Sequence, residues 1–512
     1  MTFMVVSALA YVLISVCVWR IYLKLKRPGN LPPGPKGYLI VGNLFQFDVN
    51  RSWHTLVEWK KIYGDIVYIR LFNQDVIVLN SAKAAGDLLD RRAANYSNRP
   101  RMPVAECLTG GLNIGVIEHG AKWRSLRRAA HEALNIRASV NYNPIHTRES
   151  IQLALDILDS SQICHDHVYR YHTPRSELPL SYNDIARRYS IIKELSTFMH
   201  DISLATTPGR YLANHIPILE HVPAFLAKWK REMKAKYRMY TESFLKFFLP
   251  IKDLVIQKQD HGPSFCAMLA EAQERHGLSD SESAWLAAVL YVAGYDTSMT
   301  ALEWLIVAML TFPDVQRRIH EEIDTVIGQT RIPTLADMEN LPYMRAVVKE
   351  VLRWRPPVPI GVFHASLEDD VYEGYHIPKG SWIIPNILAM NHDSETYGQD
   401  PDLFRPERFL NEDGTHKVSP ADTKDEGHYS FGFGRRICPG RHVASNALLS
   451  FAIVFWAVHL EPGKDAQGNT VSISINDQAD GILSRPPTYH VSAKPRFPEA
   501  MEILKIAKEE CL

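Results

Sequence analysis

Between about Ser279 and Leu310 the chain is apolar almost all round, with Trp285, Leu286, Val289, Leu290, Val292, Ala293, Leu302, Leu305 and Ile306 leaving no polar stripe for water. Such a helix is stable only when other parts of the chain surround it, so the pattern predicts one long helix crossing the core of a large domain. Asp280 or Ser281 can cap its start, and Pro313 closes it. With 512 residues, 46% of them hydrophobic, the chain is long enough to bury such a core. No Gly/Ser-rich or charge-run linker follows residue 36 and no internal repeat is visible, so one large domain is expected rather than several. Most of it is helical in period. Asp65 to Leu71 and Asp75 to Leu79, on either side of Phe72-Asn73-Gln74, read instead as a β-hairpin. The expected fold class is mostly α with a small β part, an α+β arrangement.

Phe3 to Trp19 is 17 residues without a charge, about 26 Å as a helix at 1.5 Å per residue, which is enough to span a bilayer. Arg20, Lys24, Lys26 and Arg27 follow it, and the positive-inside rule then keeps the rest of the chain cytosolic. A cleaved signal peptide is the rival reading, but it calls for positive charge before the apolar stretch, not after it. Pro28, Pro32, Pro33 and Pro35, with Gly29 and Gly34, cannot continue a helix and form a stiff hinge. The expected organisation is a transmembrane anchor with its basic flank over 1–27, a proline-rich hinge over 28–36 and a single domain over 37–512.

Lys plus Arg and Asp plus Glu both number 57, so no nucleic-acid partner is expected. The six cysteines (Cys17, Cys107, Cys164, Cys266, Cys438 and Cys511) are scattered without a C-x-x-C, which argues against a disulfide framework and for a reducing compartment. Cys164, His165 and His167 are metal-ligand types close together, but no second ligand pair lies nearby at zinc-like spacing.

The densest chemical signal is Phe431-Gly-Phe-Gly-Arg-Arg-Ile-Cys-Pro-Gly440. A cysteine beside Pro-Gly can be a small buried hydrophobe. Here Gly432, Gly434 and Gly440 let the backbone turn tightly and approach a flat cofactor, backbone N–H groups aimed at the sulfur favour thiolate, and Arg436 supplies charge for a carboxylate. Glu350 and Arg353 share a helical face, either as a surface ion pair or as part of something buried. Asp296 and Thr297 interrupt the apolar helix. They need partners there, and one option for the threonine is a bond to a carbonyl one turn earlier. Trp123 and Arg127 lie four apart on a predicted helix, where an indole N–H and a guanidinium can both reach a carboxylate.

Phe431, Gly434, Arg436, Cys438 and Gly440 resemble the F-x-x-G-x-R-x-C-x-G haem loop of the cytochromes P-450 at every fixed position. Glu350 and Arg353, with Arg408 in Pro406-Glu-Arg-Phe409, resemble the family's structural charge triad that locks the cysteine loop. Ala293-Gly-Tyr-Asp-Thr-Ser298 resembles its oxygen-facing helix segment, Trp123 and Arg127 its propionate-binding helix, and His364 falls where the family places another propionate donor. The alternative for His364 is a solvated loop histidine. Leu31-Pro-Pro-Gly-Pro35 is similar to the proline-rich segment of microsomal members, and the general wording resembles the fungal branch that tailors terpenoids and other secondary metabolites.

The resemblance implies a cytochrome P-450 fold on the cytosolic face of the endoplasmic reticulum and a heme b held by Cys438, whose thiolate favours O–O cleavage. It implies that Asp296 and Thr297 deliver protons, with Gly294 permitting a kink, and that the apolar run from Val443 to Leu460 forms the helix under the haem. The reaction class is insertion of one oxygen atom from O2 into a lipophilic small molecule, with electrons from NADPH through a separate reductase of the cytochrome P-450 type. No flavin or nicotinamide domain is visible in the chain. Substrate contacts are expected from Arg101 to Gly115, Leu204 to Phe225, Tyr291 and Tyr295, and Val358 to Val362. Two other readings keep the haem: an isomerase or dehydratase that does not use O2, disfavoured by the Asp296-Thr297 pair, and a non-catalytic membrane haem protein. The resemblance breaks at Tyr169 to Asn183, where two prolines and no apolar stripe stand in place of a packed core helix.

Overall fold

The computed structural model describes residues 11–12, 14–16, 18–19, 30–48, 51–171, 185–260, 264–464, 467–479 and 481–511. The helices that build the site, in chain order, are α1 (Ala121–Leu134), α2 (Asn143–Asp159), α3 (Cys164–Tyr171), α4 (Ile185–Thr206), α5 (Lys228–Ile256), α6 (Asp280–Thr311), α7 (Pro342–Trp354), α8 (Arg441–Leu449) and α9 (Ala452–Ala457). The strands are β1 (Ile66–Leu71), β2 (Gln74–Leu79), β3 (His364–Ala365), β4 (Trp382–Pro385), β5 (Val458–Pro462) and β6 (Val491–Pro495), with one further short antiparallel pair at Asp370–Tyr372 and Tyr375–Ile377. The fold is mostly helical with a small β part.

The expected core helix is α6, and every residue from Ser298 to Leu310 is buried. Its cap differs from expectation. Ser279 accepts from Glu282 N while the Glu282 carboxylate accepts from Ser279 N at 2.8 Å, because Ser279, unlike Asp280 or Ser281, stands three residues ahead of an acid that can return the bond. Asp280 instead takes Lys252 Nζ at 2.6 Å and Gln273 Nε2 at 2.7 Å. At the other end Pro313 opens the next helix, which turns away by 102°. Trp285 anchors α6 to α4 and α5, meeting Phe198 and Phe244 edge-on and donating to Thr241 Oγ1 at 2.9 Å. Trp304 packs edge-on against Trp354 of α7.

The hairpin forms as expected, except that Gln74 already belongs to β2 and pairs with Leu71. β2 continues parallel to β4, and β4 pairs antiparallel with β3, giving the order β1-β2-β4-β3. That sheet carries His364 to the domain interior, where it is buried and not a solvated loop residue.

The run expected as one helix from Val443 to Leu460 divides. α8 ends at Leu449, α9 runs only to Ala457, and Val458 starts β5, paired with β6. Ser450 sits in the break, its hydroxyl donating to Ala447 O at 2.8 Å and meeting Ser150 Oγ of α2 at 2.9 Å, a local competitor for the helical ladder. α6 itself is continuous through Gly294. Tyr169 to Tyr171 finish α3, and the rest of the anomalous segment, 172–183, lies outside the described residues, as does most of the expected anchor. Among the described residues no single helix is long and apolar enough to cross a membrane. Tyr11, Val12, Ile14, Val16, Val18 and Trp19 are helical and exposed.

Loss of the capping box in Ser279→Ala is expected to lower unfolding stability by about 1 kcal/mol, read in denaturant titrations against Ser281→Ala, which should be close to neutral.

Candidate active site

One cavity of about 860 Å³ lies between α6 and the segment that precedes α8. Ala293 and Gly294, the exposed turn of an otherwise buried helix, open onto one side, and Cys438 with Phe431, Gly432 and Gly440 lines the other.

The cysteine loop is shaped by its backbone. Cys438 N donates to Phe431 O at 2.9 Å, and Gly434 N donates to Asp90 Oδ1 at 2.6 Å. Gly434 has φ +59, and a Cβ there would lie 2.1 Å from Leu89 O, so no other residue fits. Gly440, expected to ease a tight turn, sits at φ −89, which any residue adopts. What it supplies is room, since a Cβ on Gly440 or Gly432 would meet nothing within 4 Å on the cavity side. Burial pushes the Cys438 thiol up, while the Gly440 N–H and the charges of Arg127 and Arg441 pull it down.

The loop is held from behind by the expected triad. Glu350 and Arg353 are fully buried, joined by a two-point contact of 2.6 and 2.9 Å, and Arg408 Nε reaches Glu350 Oε1 at 2.9 Å. This excludes the surface reading of the pair. Arg353 also donates to Asn391 O at 2.7 Å. The Asn391 side chain accepts from Tyr429 N at 2.9 Å and donates to Ser430 Oγ at 3.0 Å, which carries the triad's geometry into Phe431.

At the rim, Arg436 donates to Ser97 O at 2.9 Å and Ile117 O at 2.9 Å, with its guanidinium 4.3 Å from the Trp123 ring centre. Arg127 donates to Ile437 O at 2.6 Å. Sequence reading missed a third, Arg99, which donates to Gly115 O, Val362 O and Phe363 O at 2.8 to 2.9 Å. No local spacing marks Arg99; the adjacency of Asn98 to Ala365 brings it beside His364. Among the described residues none of the three has a carboxylate partner. Burial lowers all three, Arg436 to about 9 and Arg99 well below the usual range; Arg127 adds repulsion to both of these, and Arg441 adds it to Arg127. Such a cluster fits a group that carries two carboxylates into the cavity. His364 gives Nδ1–H to Tyr96 O at 2.8 Å, and burial with Arg99 holds its ring neutral. Only an acceptor then remains at Nε2, so donation to a carboxylate requires the protonated ring, which an adjacent anion favours.

On the opposite side, Thr297 Oγ1 donates to Ala293 O at 2.7 Å, the back-bond to the preceding turn. Asp296 turns to Arg485, at 2.8 Å, a partner the sequence did not point to because it arrives from nearly 190 residues away. Burial raises the Asp296 carboxyl and Arg485 opposes the shift.

Tyr291, Tyr295, Asn113 to Gly115, Val358 and Ile360 to Val362 line the cavity as expected. Arg101 does not; it pairs with Glu220 at 2.5 Å. From Leu204 to Phe225 only Thr206 and Thr207 with Pro208 reach it; the wall comes from Leu195 to Ser203 of α4 and from Gly481 to Arg485. Of the suspected metal ligands, His167 Nε2 bonds Ser160 O, His165 meets Glu303, and burial pushes the Cys164 thiol up to about 12. No cluster that could hold a metal ion is present among the described residues.

A cysteine loop, a charge triad buried behind it and a long helix facing it across one cavity constitute a pattern that comparison with known proteins decides. The cytochrome P-450 family model matches residues 32–455. The chain is a cytochrome P-450. It is 42% identical over 94% of its length to a cytochrome P-450 monooxygenase of Armillaria gallica, of which 93% is covered. Cytochrome P-450 monooxygenase 58 of Postia placenta is 39% identical over 94% of the chain and 91% of that protein. Cytochrome P-450 monooxygenase iboC of Amanita muscaria is 34% identical over 98% of both. As a cytochrome P-450 monooxygenase the protein is a haem enzyme that uses O2 and electrons from a redox partner.

Removing one member of the triad strands buried charge at a cost on the order of 3–5 kcal/mol. Glu350→Ala and Arg353→Ala are therefore expected to yield little folded holoprotein, measured as haem absorbance per milligram of soluble protein. Normal haem content in both would show that the cysteine loop does not depend on the triad.

Proposed function

We propose that Cys438 Sγ is the iron ligand of a heme b, and that the enzyme inserts one oxygen atom of O2 into a C–H bond or double bond of a lipophilic small molecule. The observation that carries this reading is the opposition, across one cavity, of the Cys438 thiol and the Asp296-Thr297 turn of α6. When bound, the haem supplies O2 binding and, through its thiolate, favours O–O cleavage.

The chain's own residues do the rest. Arg99, Arg127 and Arg436, with Trp123 and His364, would hold the propionates; Gly432 and Gly440 leave room for the flat group beside Phe431, while Gly434, expected to share that role, instead holds the turn against Leu89 O. Asp296 and Thr297 would hold protons at their side-chain oxygens on the α6 side of the cavity. Phe198, Phe244, Phe248 and Ile360 keep water out and favour a greasy substrate. A place in fungal secondary metabolism, with a terpenoid as one candidate substrate class, rests on the general resemblance of the sequence.

Electrons come from NADPH through a separate reductase, in keeping with the lack of any flavin or nicotinamide motif in the chain. The helical, exposed Tyr11, Val12, Ile14, Val16, Val18 and Trp19 support a single-pass anchor in the endoplasmic reticulum over 1–27, followed by the hinge over 28–36 and a cytosolic domain. Ile218, Phe225 and Leu226, all exposed, would dip into the same membrane and admit a lipophilic substrate.

The reduced carbon-monoxide spectrum tests the ligand. Cys438→Ser is expected to lose the thiolate Soret band, and its retention would remove Cys438 from the iron. Thr297→Val keeps the branched shape without the hydroxyl, so haem binding should survive while product per NADPH falls and peroxide rises. An unchanged ratio would leave Thr297 as a helix back-bond only.

A further inference from the structure

Beyond the cavity the interior holds a second group of proton-carrying side chains. Glu303 follows Asp296 by seven residues on α6, on the same face and about 10.5 Å along the axis at 1.5 Å per residue. Its side chain is 2% exposed, and Oε2 has no hydrogen-bond partner. Oε1 lies 2.5 Å from Nδ1 of His165 on α3, a side chain that is 56% exposed. Tyr489 adds a buried hydroxyl that is also without a partner and lies in the electrostatic reach of Glu303. Arg485 interacts with Asp296 on one side and His165 on the other. Cys164 of α3 also faces Glu303, and Asp166 on the same helix adds negative charge beside His165. A buried carboxylate with one oxygen left unbonded is costly, and packing alone gives no reason to keep it.

We propose that His165 and Glu303 form a proton inlet that recharges Asp296 from the protein surface. The proposal rests on the oxygen chemistry above, which consumes protons at the Asp296-Thr297 turn. A solvent proton enters the His165 ring at Nε2 while the Nδ1 proton passes to Oε1 of Glu303. The carboxyl, protonated at Oε1, rotates so that this proton faces Asp296, releases it there and returns to carboxylate; Tyr489, in the electrostatic reach of Glu303, can relay it by accepting one proton at its hydroxyl and donating another. One proton moves inward and no electron is transferred. Glu303 acts through Asp296 and is a positioning residue, not a catalytic one.

Glu303→Gln keeps the shape and a hydrogen bond to His165 but removes the acid, and the holoprotein tests it in two ways. The first is NMR titration of labelled histidine rings, with His165→Asn identifying the signal. The Glu303 carboxylate stabilises the protonated ring and raises its midpoint, so the His165 midpoint should fall in Glu303→Gln. The second is peroxide released per NADPH consumed, with purified reductase and 7-ethoxycoumarin as probe. That ratio should rise several-fold in both variants, and its climb with pH as His165 deprotonates in the wild type should flatten. Haem content and the reduced carbon-monoxide band should stay as in the wild type. An unmoved midpoint overturns the contact. A moved midpoint with an unchanged peroxide ratio and pH profile makes the pair a tie between two helices and overturns the inlet. Absence of the thiolate band from the wild type would overturn the haem-thiolate reading instead.

Discussion

Glu350 carries one negative charge into a region closed to water and divides it between two guanidinium groups. Because no solvent can replace a missing partner there, Arg353 and Arg408 are fixed in direction as well as position, and each spends its remaining N–H groups on backbone carbonyls: Asn391, Pro401 and Leu403 for Arg353, and Tyr397, Asp400 and Leu403 for Arg408. The backbone from Asn391 to Leu403 is thereby tied to α7. Through the Asn391 amide the same constraint reaches Tyr429 and Ser430, and so decides where the cysteine loop begins.

The arginines of the triad and those of the cavity rim show two uses of the same side chain. Behind the loop, positive charge is neutralised within the protein and the result is rigidity. At the rim, Arg99, Arg127 and Arg436 are ordered by carbonyl oxygens, which satisfy N–H groups without cancelling charge. Their repulsion is left standing, and an incoming dianion relieves it. Binding energy for such a group is therefore prepared in the folded chain. The wall facing the cysteine follows a related rule: α6 is largely apolar where it meets protein, and its buried acids Asp296 and Glu303 each find a partner from a different part of the chain.

Much of this was legible in the sequence wherever one short segment contains the whole cause. The apolar period of α6, the hairpin at Ile66–Leu79 and the glycine at 434 are of that kind, and so is the face shared by Glu350 and Arg353. The errors lie at junctions. Ser279, not Asp280 or Ser281, caps α6 because the reciprocal bond with Glu282 outweighs an acid one residue later. The run after Cys438 has helical composition throughout, yet it breaks at Ser450 and becomes a strand at Val458 because β6 offers a partner there. Composition cannot see such a partner.

The sequence by itself determined the family, the mostly helical fold, the cysteine loop and the triad residues, since each is written as a local spacing that only one geometry satisfies. Tertiary structure alone decided that Arg99 joins the rim, that Asn391 links triad to loop, that α4 forms a cavity wall, and that Asp296 faces Arg485 and Glu303 faces His165. Those contacts join residues tens to hundreds of positions apart. The free energy that selects them comes from excluding water around charge, and that depends on what surrounds a side chain and not on its neighbours in sequence.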